Sequence, residues 1–137
     1  MTVNELSQLY YLNREIEMDR LRLEELEYKI GPASQKFTDA PHNPNRGVSS
    51  TEQLAAEIVD LQAIIAAKQI QCIHERARLE RYIEEIADSE TRMIFTLRFV
   101  NGLPWDQVAA SMGTGYIGGS LKKRCYRYLK NTHNTCD

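Results

Sequence analysis

The chain has 137 residues, a formal net charge of −2, 42% hydrophobic and 8% aromatic residues. At roughly 100–200 residues per domain, this allows one compact domain or a small domain with an extended arm, and the apolar content excludes wholesale disorder. No apolar run approaches the ~20 residues that span a bilayer, and MTVNELSQLYYLNREIE lacks the basic-then-apolar order of a signal peptide, so a cytoplasmic protein is expected.

Thr2 and Glu5 form a capping-box pattern, which predicts a helix starting at about residue 3. Leu9, Ile16, Leu23 and Ile30 recur every seven residues, with Leu12 and Leu26 between them, a coiled-coil seam broken by Asp19. Gly31-Pro32 supplies a stop signal, giving a helix over residues 3–30, roughly 42 Å long at 1.5 Å per residue. Such a helix cannot bury its stripe alone.

Residues 31–50 hold three of the four prolines and two of the seven glycines, and read as a Pro/Asn-rich linker. Ser49-Ser50-Thr51-Glu52 repeats the capping logic. A second helix then runs to about residue 87, roughly 57 Å, with Leu54, Ile58, Leu61, Ile65, Cys72, Leu79, Ile83 and Ile86 on its apolar side. Packing it antiparallel on the first helix is the economical solution. A homodimer through the long helices is equally compatible with the pattern.

The texture changes at Asp88-Ser89, a new N-cap. Ile94, Leu97 and Val100 share a face of a helix over 89–101, ended by Gly102. Pro104 opens a helix over 104–112, with Trp105, Val108, Ala109 and Met112 on one face and Gly113 closing it. A last helix carries Leu121, Cys125, Tyr128 and Leu129 inward and Lys122, Lys123, Tyr126, Arg127 and Lys130 outward, with a polar, frayed tail over 132–137. No stretch alternates with a two-residue period. The expected fold is all-α: two long antiparallel coiled-coil helices in 1–87, then a three-helix helix-turn-helix unit in 88–131.

The mild net charge conceals an asymmetry. Residues 1–87 carry 10 Lys and Arg against 15 Asp and Glu, whereas residues 88–137 carry 7 against 4. An acidic arm joined to a basic unit fits a partner whose negative charge is met at one end only. Duplex DNA suits the last helix, because the major groove admits one α-helix. The candidate contacts are Ser120, Lys123 and Arg127 to bases or phosphates, Lys122, Arg124 and Lys130 mainly to the backbone, and Tyr126 to a phosphate or sugar. The N–H groups of Gly118 to Ser120 offer a further phosphate seat.

Other chemistries find little support. Gly113-Thr114-Gly115-Tyr116-Ile117-Gly118 satisfies G-x-G-x-x-G, but a helix precedes it and no βαβ unit can be completed around it. A phosphate loop lacks its Lys before Ser120. The three cysteines, Cys72, Cys125 and Cys136, include no C-x2-C pair, so they read as free thiols, with neither disulfide framework nor metal site. His42, His74 and His133 have no evident base–nucleophile partner. An enzyme is not expected, nor a cofactor.

The run LRFVNGLPWDQVAASMG followed by SLKKRCYRYLK resembles region 4 of sigma-type transcription factors. Leu97-Arg98-Phe99, Gly102-Leu103, Trp105, Val108-Ala109, Gly113, Leu121 and Leu129 fall on its pattern. The whole layout is similar to small sigma-like proteins of firmicute prophages, akin to the RinA and ArpU late-gene regulators. Pro104 stands where a capping Ser is common, and the Gly113–Leu121 turn is about two residues long for the pattern. The resemblance implies a sequence-specific DNA-binding transcriptional regulator that binds double-stranded DNA and contacts RNA polymerase. Alternatives are a DNA-recognition protein like a phage terminase small subunit, or a coiled-coil adaptor that binds protein and not DNA.

Overall fold

A computed structural model describes residues 1–34 and 50–134. The fold is all-α, and no strand occurs among the described residues. Chain order gives α1 (Val3–Leu6), α2 (Gln8–Ser34), α3 (Ser50–Glu84), α4 (Ser89–Phe95), a π-helical turn (Thr96–Val100), α5 (Trp105–Met112) and α6 (Gly118–Asn134). No described helix is long and apolar enough to cross a membrane. The described residues divide into two compact units, Met1–Asn13 with Cys72–Asp137, and Arg14–Gln71.

In the first unit the capping box closes as its residues require. Thr2 Oγ1 accepts from Glu5 N–H at 3.2 Å, and Glu5 Oε2 accepts from Thr2 N–H at 2.7 Å. These bonds hold the Glu5 carboxyl below its usual range. The single helix expected over 3–30 is interrupted at Ser7, whose hydroxyl donates to Val3 O at 2.8 Å and competes locally with the backbone ladder. Arg78 donates to Glu5 O and Cys72 approaches Asn13 Oδ1. Numbers fall along one segment as they rise along the other, so the two run antiparallel here.

The principal core joins Leu6 and Leu9 to Leu79, Ile83 and Ile86, then to Phe95, Phe99, Cys125 and Leu129. Phe95 lies at its centre, with Phe99 5.4 Å, Tyr128 5.5 Å and Tyr82 6.4 Å away between ring centroids. The inward set expected for 89–101 omitted Phe95 and Phe99, which occupy this cluster. Ile94 instead turns to a smaller core with Val108, Ala109 and Leu121. The helix of residues 89–101 thus buries two faces.

Three further features of this unit differ from expectation. α3 ends at Glu84 and not at 87, because Glu85 and Ile86 N–H bond back only three residues, to Tyr82 and Ile83 O. Arg92 then donates to the carbonyls of Ile86 and Ala87, at 2.6 and 3.2 Å. The helix expected over 89–101 widens after Phe95: Asn101 N–H bonds Thr96 O five residues back, and Thr96 Oγ1 donates to Arg92 O. Gly102, at φ 70°, makes the stop, with Leu103 N–H donating to Leu97 O. Finally, α6 continues to Asn134 where a frayed tail was expected from 132.

In the second unit α2 passes through Gly31 and Pro32 to Ser34, beyond the stop expected at residue 30. Proline removes one amide donor, but the residues after it keep theirs, and the helix runs two residues beyond it. The rest of the expected linker, 35–49, lies outside the described residues, as do His42, Cys136 and the capping Ser49. Ile16, Leu26 and Ile65 are buried, and Leu23, Ile30, Leu54, Ile58 and Leu61 are half-buried, all on the stripes that the spacing gave. Asp19, the polar break in the first seam, bonds Lys68 at 2.6 Å, and Glu15 adds a second carboxylate at 3.5 Å. Bonding to Asp19, offset in part by desolvation, raises the Lys68 ammonium above its usual range.

Candidate nucleic-acid interface

α6 is placed by one close approach and one apolar stripe. A Cβ on Gly118 would lie 3.0 Å from the Trp105 carbonyl carbon and oxygen, so only glycine lets α6 begin against the opening of α5. Leu121, Cys125 and Leu129 are buried and Tyr128 is half-buried, the inward set expected. Burial pushes the Cys125 thiol up to about 12.

The turn before α5 is fixed by Arg98. Its guanidinium donates to Leu103 O at 2.9 Å and stands 4.9 Å over the Trp105 ring. Gly113 and Gly115, at φ 122° and 91°, carry the chain through the separate turn between α5 and α6.

Facing away from the core, Ser120, Lys122, Lys123, Tyr126, Arg127 and Lys130 are all exposed. Ser120, Lys123, Arg127 and Lys130 follow the three- and four-residue steps of one helix face, a stripe about 15 Å long. Lys122 lies 5.8 Å from the Tyr126 ring centroid. No described carboxylate forms an ion pair with Lys122, Lys123, Arg127 or Lys130, and α6 itself contains no Asp or Glu.

Arg124 differs from the rest of the set. Its guanidinium bonds Asp88 at 2.9 Å and Glu90 at 2.7 Å. Asp88 is the N-cap of α4, accepting from Thr91 Oγ1 at 2.6 Å and Thr91 N–H at 3.1 Å. Those bonds, with the Arg124 charge behind them, hold the Asp88 carboxyl below its usual range. Arg124 therefore ties α6 to the start of α4.

The first backbone bond inside α6 is Leu121 N–H to Ile117 O, so the N–H groups of Gly118, Gly119 and Ser120 precede the ladder. The Asp106 carboxylate, whose Oδ1 would be 2.9 Å from a Cβ on Gly118, already brings negative charge to that turn. A phosphate seat on these amides is disfavoured by that charge.

Sequence reasoning missed two parts of the surface beside α6. Ile117 is 67% exposed immediately before the helix, an aliphatic side chain beside Gly118 that the motif search passed over as turn. Tyr116 bonds Glu90, which raises its hydroxyl above the usual range. Glu90 thus serves both the turn and Arg124.

Neither a known protein family, nor a curated protein, nor a solved structure matches this chain.

Proposed function

We propose that the chain is a cytoplasmic DNA-binding transcriptional regulator of phage or prophage type, with α5, the glycine turn and α6 acting as a helix-turn-helix and α6 as its reading helix. The observation that carries this is the outer face of α6: four cations exposed over three turns, with no described carboxylate paired to them and no acidic residue in the helix. Neutralising phosphates releases condensed counterions, so a surface of this kind gains most from a polyanion. A helix of this size fits the major groove, where Ser120, Lys123 and Arg127 would approach base edges or phosphates. Lys122, Tyr126 and Lys130 would flank the backbone. Arg124 is left out of the contact set because its charge is spent on Asp88 and Glu90. The likeness to sigma region 4 extends this reading to contact with RNA polymerase.

Fluorescence anisotropy on labelled random-sequence duplexes across a salt series tests it. With about four to six phosphates neutralised, log K falls against log[salt] with a slope of roughly −4 to −5. A Lys122→Ala, Lys123→Ala, Arg127→Ala variant of unchanged helicity loses that binding. A flat salt dependence would instead favour a protein-binding adaptor.

A further inference from the structure

α3 carries a second apolar face. Its buried and half-buried stripe runs through Leu54, Ile58, Leu61 and Ile65. On another side of the same helix, Ala55, Ala56, Val59, Gln62, Ala63, Ala66, Ala67, Gln69 and Ile70 are all exposed. At 100° per residue these nine positions fill an arc of roughly 160° over about four turns, about 24 Å long, without one charge. Val59 is 63% and Ile70 56% exposed. The charges of this stretch, Glu57, Asp60 and Lys68, all lie outside the arc. A solvated helix face does not dispense with charge over four turns, whereas the centre of an interface does.

The order of side chains says what covers it. Val59, Ala63, Ala66 and Ile70 are spaced four, three and four residues apart, large at the ends and small in the middle, so the pattern reads the same in both directions. A self-complementary patch of this kind is what a two-fold interface between identical chains requires. With the axis midway between residues 64 and 65, Val59 of one copy faces Ile70 of the other, and Ala63 faces Ala66. The alanines admit close approach of the two helices, and the aliphatic ends fill the space beyond. Gln62 then comes within two residues of rise of the other copy's Gln69, a neutral amide pair at the margin. A charged partner would find nothing here to pair with, whereas a second copy meets no like charge.

We infer that Val59, Ala63, Ala66 and Ile70 of α3 form an antiparallel, two-fold homodimer interface. This is independent of the DNA-binding proposal. The patch is small, two aliphatic and two alanine side chains from each copy, so a weak dimer that dissociates in the micromolar range is expected.

Sedimentation equilibrium of the full chain from 1 to about 200 µM tests it, a range chosen to bracket that affinity. The unmodified chain should pass from monomer to dimer. Val59→Glu and Ile70→Lys should each be monomeric at tenfold higher concentration while keeping their helical circular dichroism. An equimolar mixture of the two should dimerise again, because only the antiparallel register sets Glu at 59 against Lys at 70. A chain that stays monomeric throughout overturns the proposal and leaves the face to another partner. Single variants that still dimerise, or a mixture that does not recover, overturn it equally.

Discussion

An added Cβ at Gly118 would meet Asp106 Oδ1 at 2.9 Å and the Trp105 carbonyl at 3.0 Å, while at Gly119 it would meet nothing within 4 Å. Both glycines open α6, so alanine's helix propensity, up to ~1 kcal/mol, favours substitution at either. At Gly118 the backbone of α5 must give way, and overpacking costs about 1–3 kcal/mol. Gly118→Ala should therefore lower the thermal midpoint by several degrees and Gly119→Ala should leave it level or raise it, as followed by circular dichroism. Cys125 makes a second residue-scale prediction. Its thiol is pushed up to about 12 by burial, from about 8.5 in an unfolded chain. The associated stability is complete below about pH 8.5 and is lost as pH rises towards 12. Tyr82, also raised by burial, adds a loss of the same sign. Urea midpoints should fall from pH 8 to pH 10.5, and a thiol reagent at pH 8 should modify Cys125 only once the chain unfolds.

At the scale of elements, the polar break in the first seam becomes a bond between helices. Asp19 and Lys68 are each about a quarter exposed, so the pair keeps part of its electrostatic strength. A double-mutant cycle of Asp19→Ala and Lys68→Ala, read from urea unfolding, should give a coupling of about 1 kcal/mol. The sequence made the apolar side of this pairing legible, since seven-residue spacing reports burial directly: Leu9, Ile16, Leu26, Ile65 and Leu79 are all buried. Caps were legible for the same local reason, and Thr2 with Glu5 and Asp88 with Thr91 bond as their spacing implies. Partners distant in sequence were not legible. Nothing near Asp19 names Lys68, 49 residues on, and nothing near Arg124 names Asp88. Phe95 and Phe99 were passed over because a helix buried on two faces has no single stripe. In the candidate site, the outward set of α6 followed from periodicity, but periodicity could not separate Arg124 from its exposed neighbours.

For the molecule as a whole, charge is segregated: residues 1–87 carry an acidic excess and residues 88–137 a basic one. Within the basic part, the proposed DNA-binding role sets Lys123 apart from Arg124 in a testable way. Lys123→Ala should reduce the magnitude of the salt slope for DNA by about one and leave the thermal midpoint unchanged. Arg124→Ala should do the reverse, lowering the midpoint by releasing Asp88 and Glu90 while leaving the slope alone. Lys123 lies one position earlier on the same helix, so the two variants are near-ideal controls for each other. Measured together, they divide the charge of α6 between folding and binding.

The wide turn at Thr96–Val100 accommodates one residue more than α-helical winding would hold there, since its closing bond reaches back five residues. A chain shortened by one residue in this segment would wind into a regular helix, and residues beyond the cut would keep nearly their present direction around the axis, because the wide turn already absorbs the extra residue. Only the contact carried by the missing residue itself would go, such as that of Arg98 with the Trp105 ring and the Leu103 carbonyl, or that of Phe99 with Phe95. Length is thus constrained here less tightly than composition. A change of length that a regular helix would convert into rotation is absorbed in these five residues as slack.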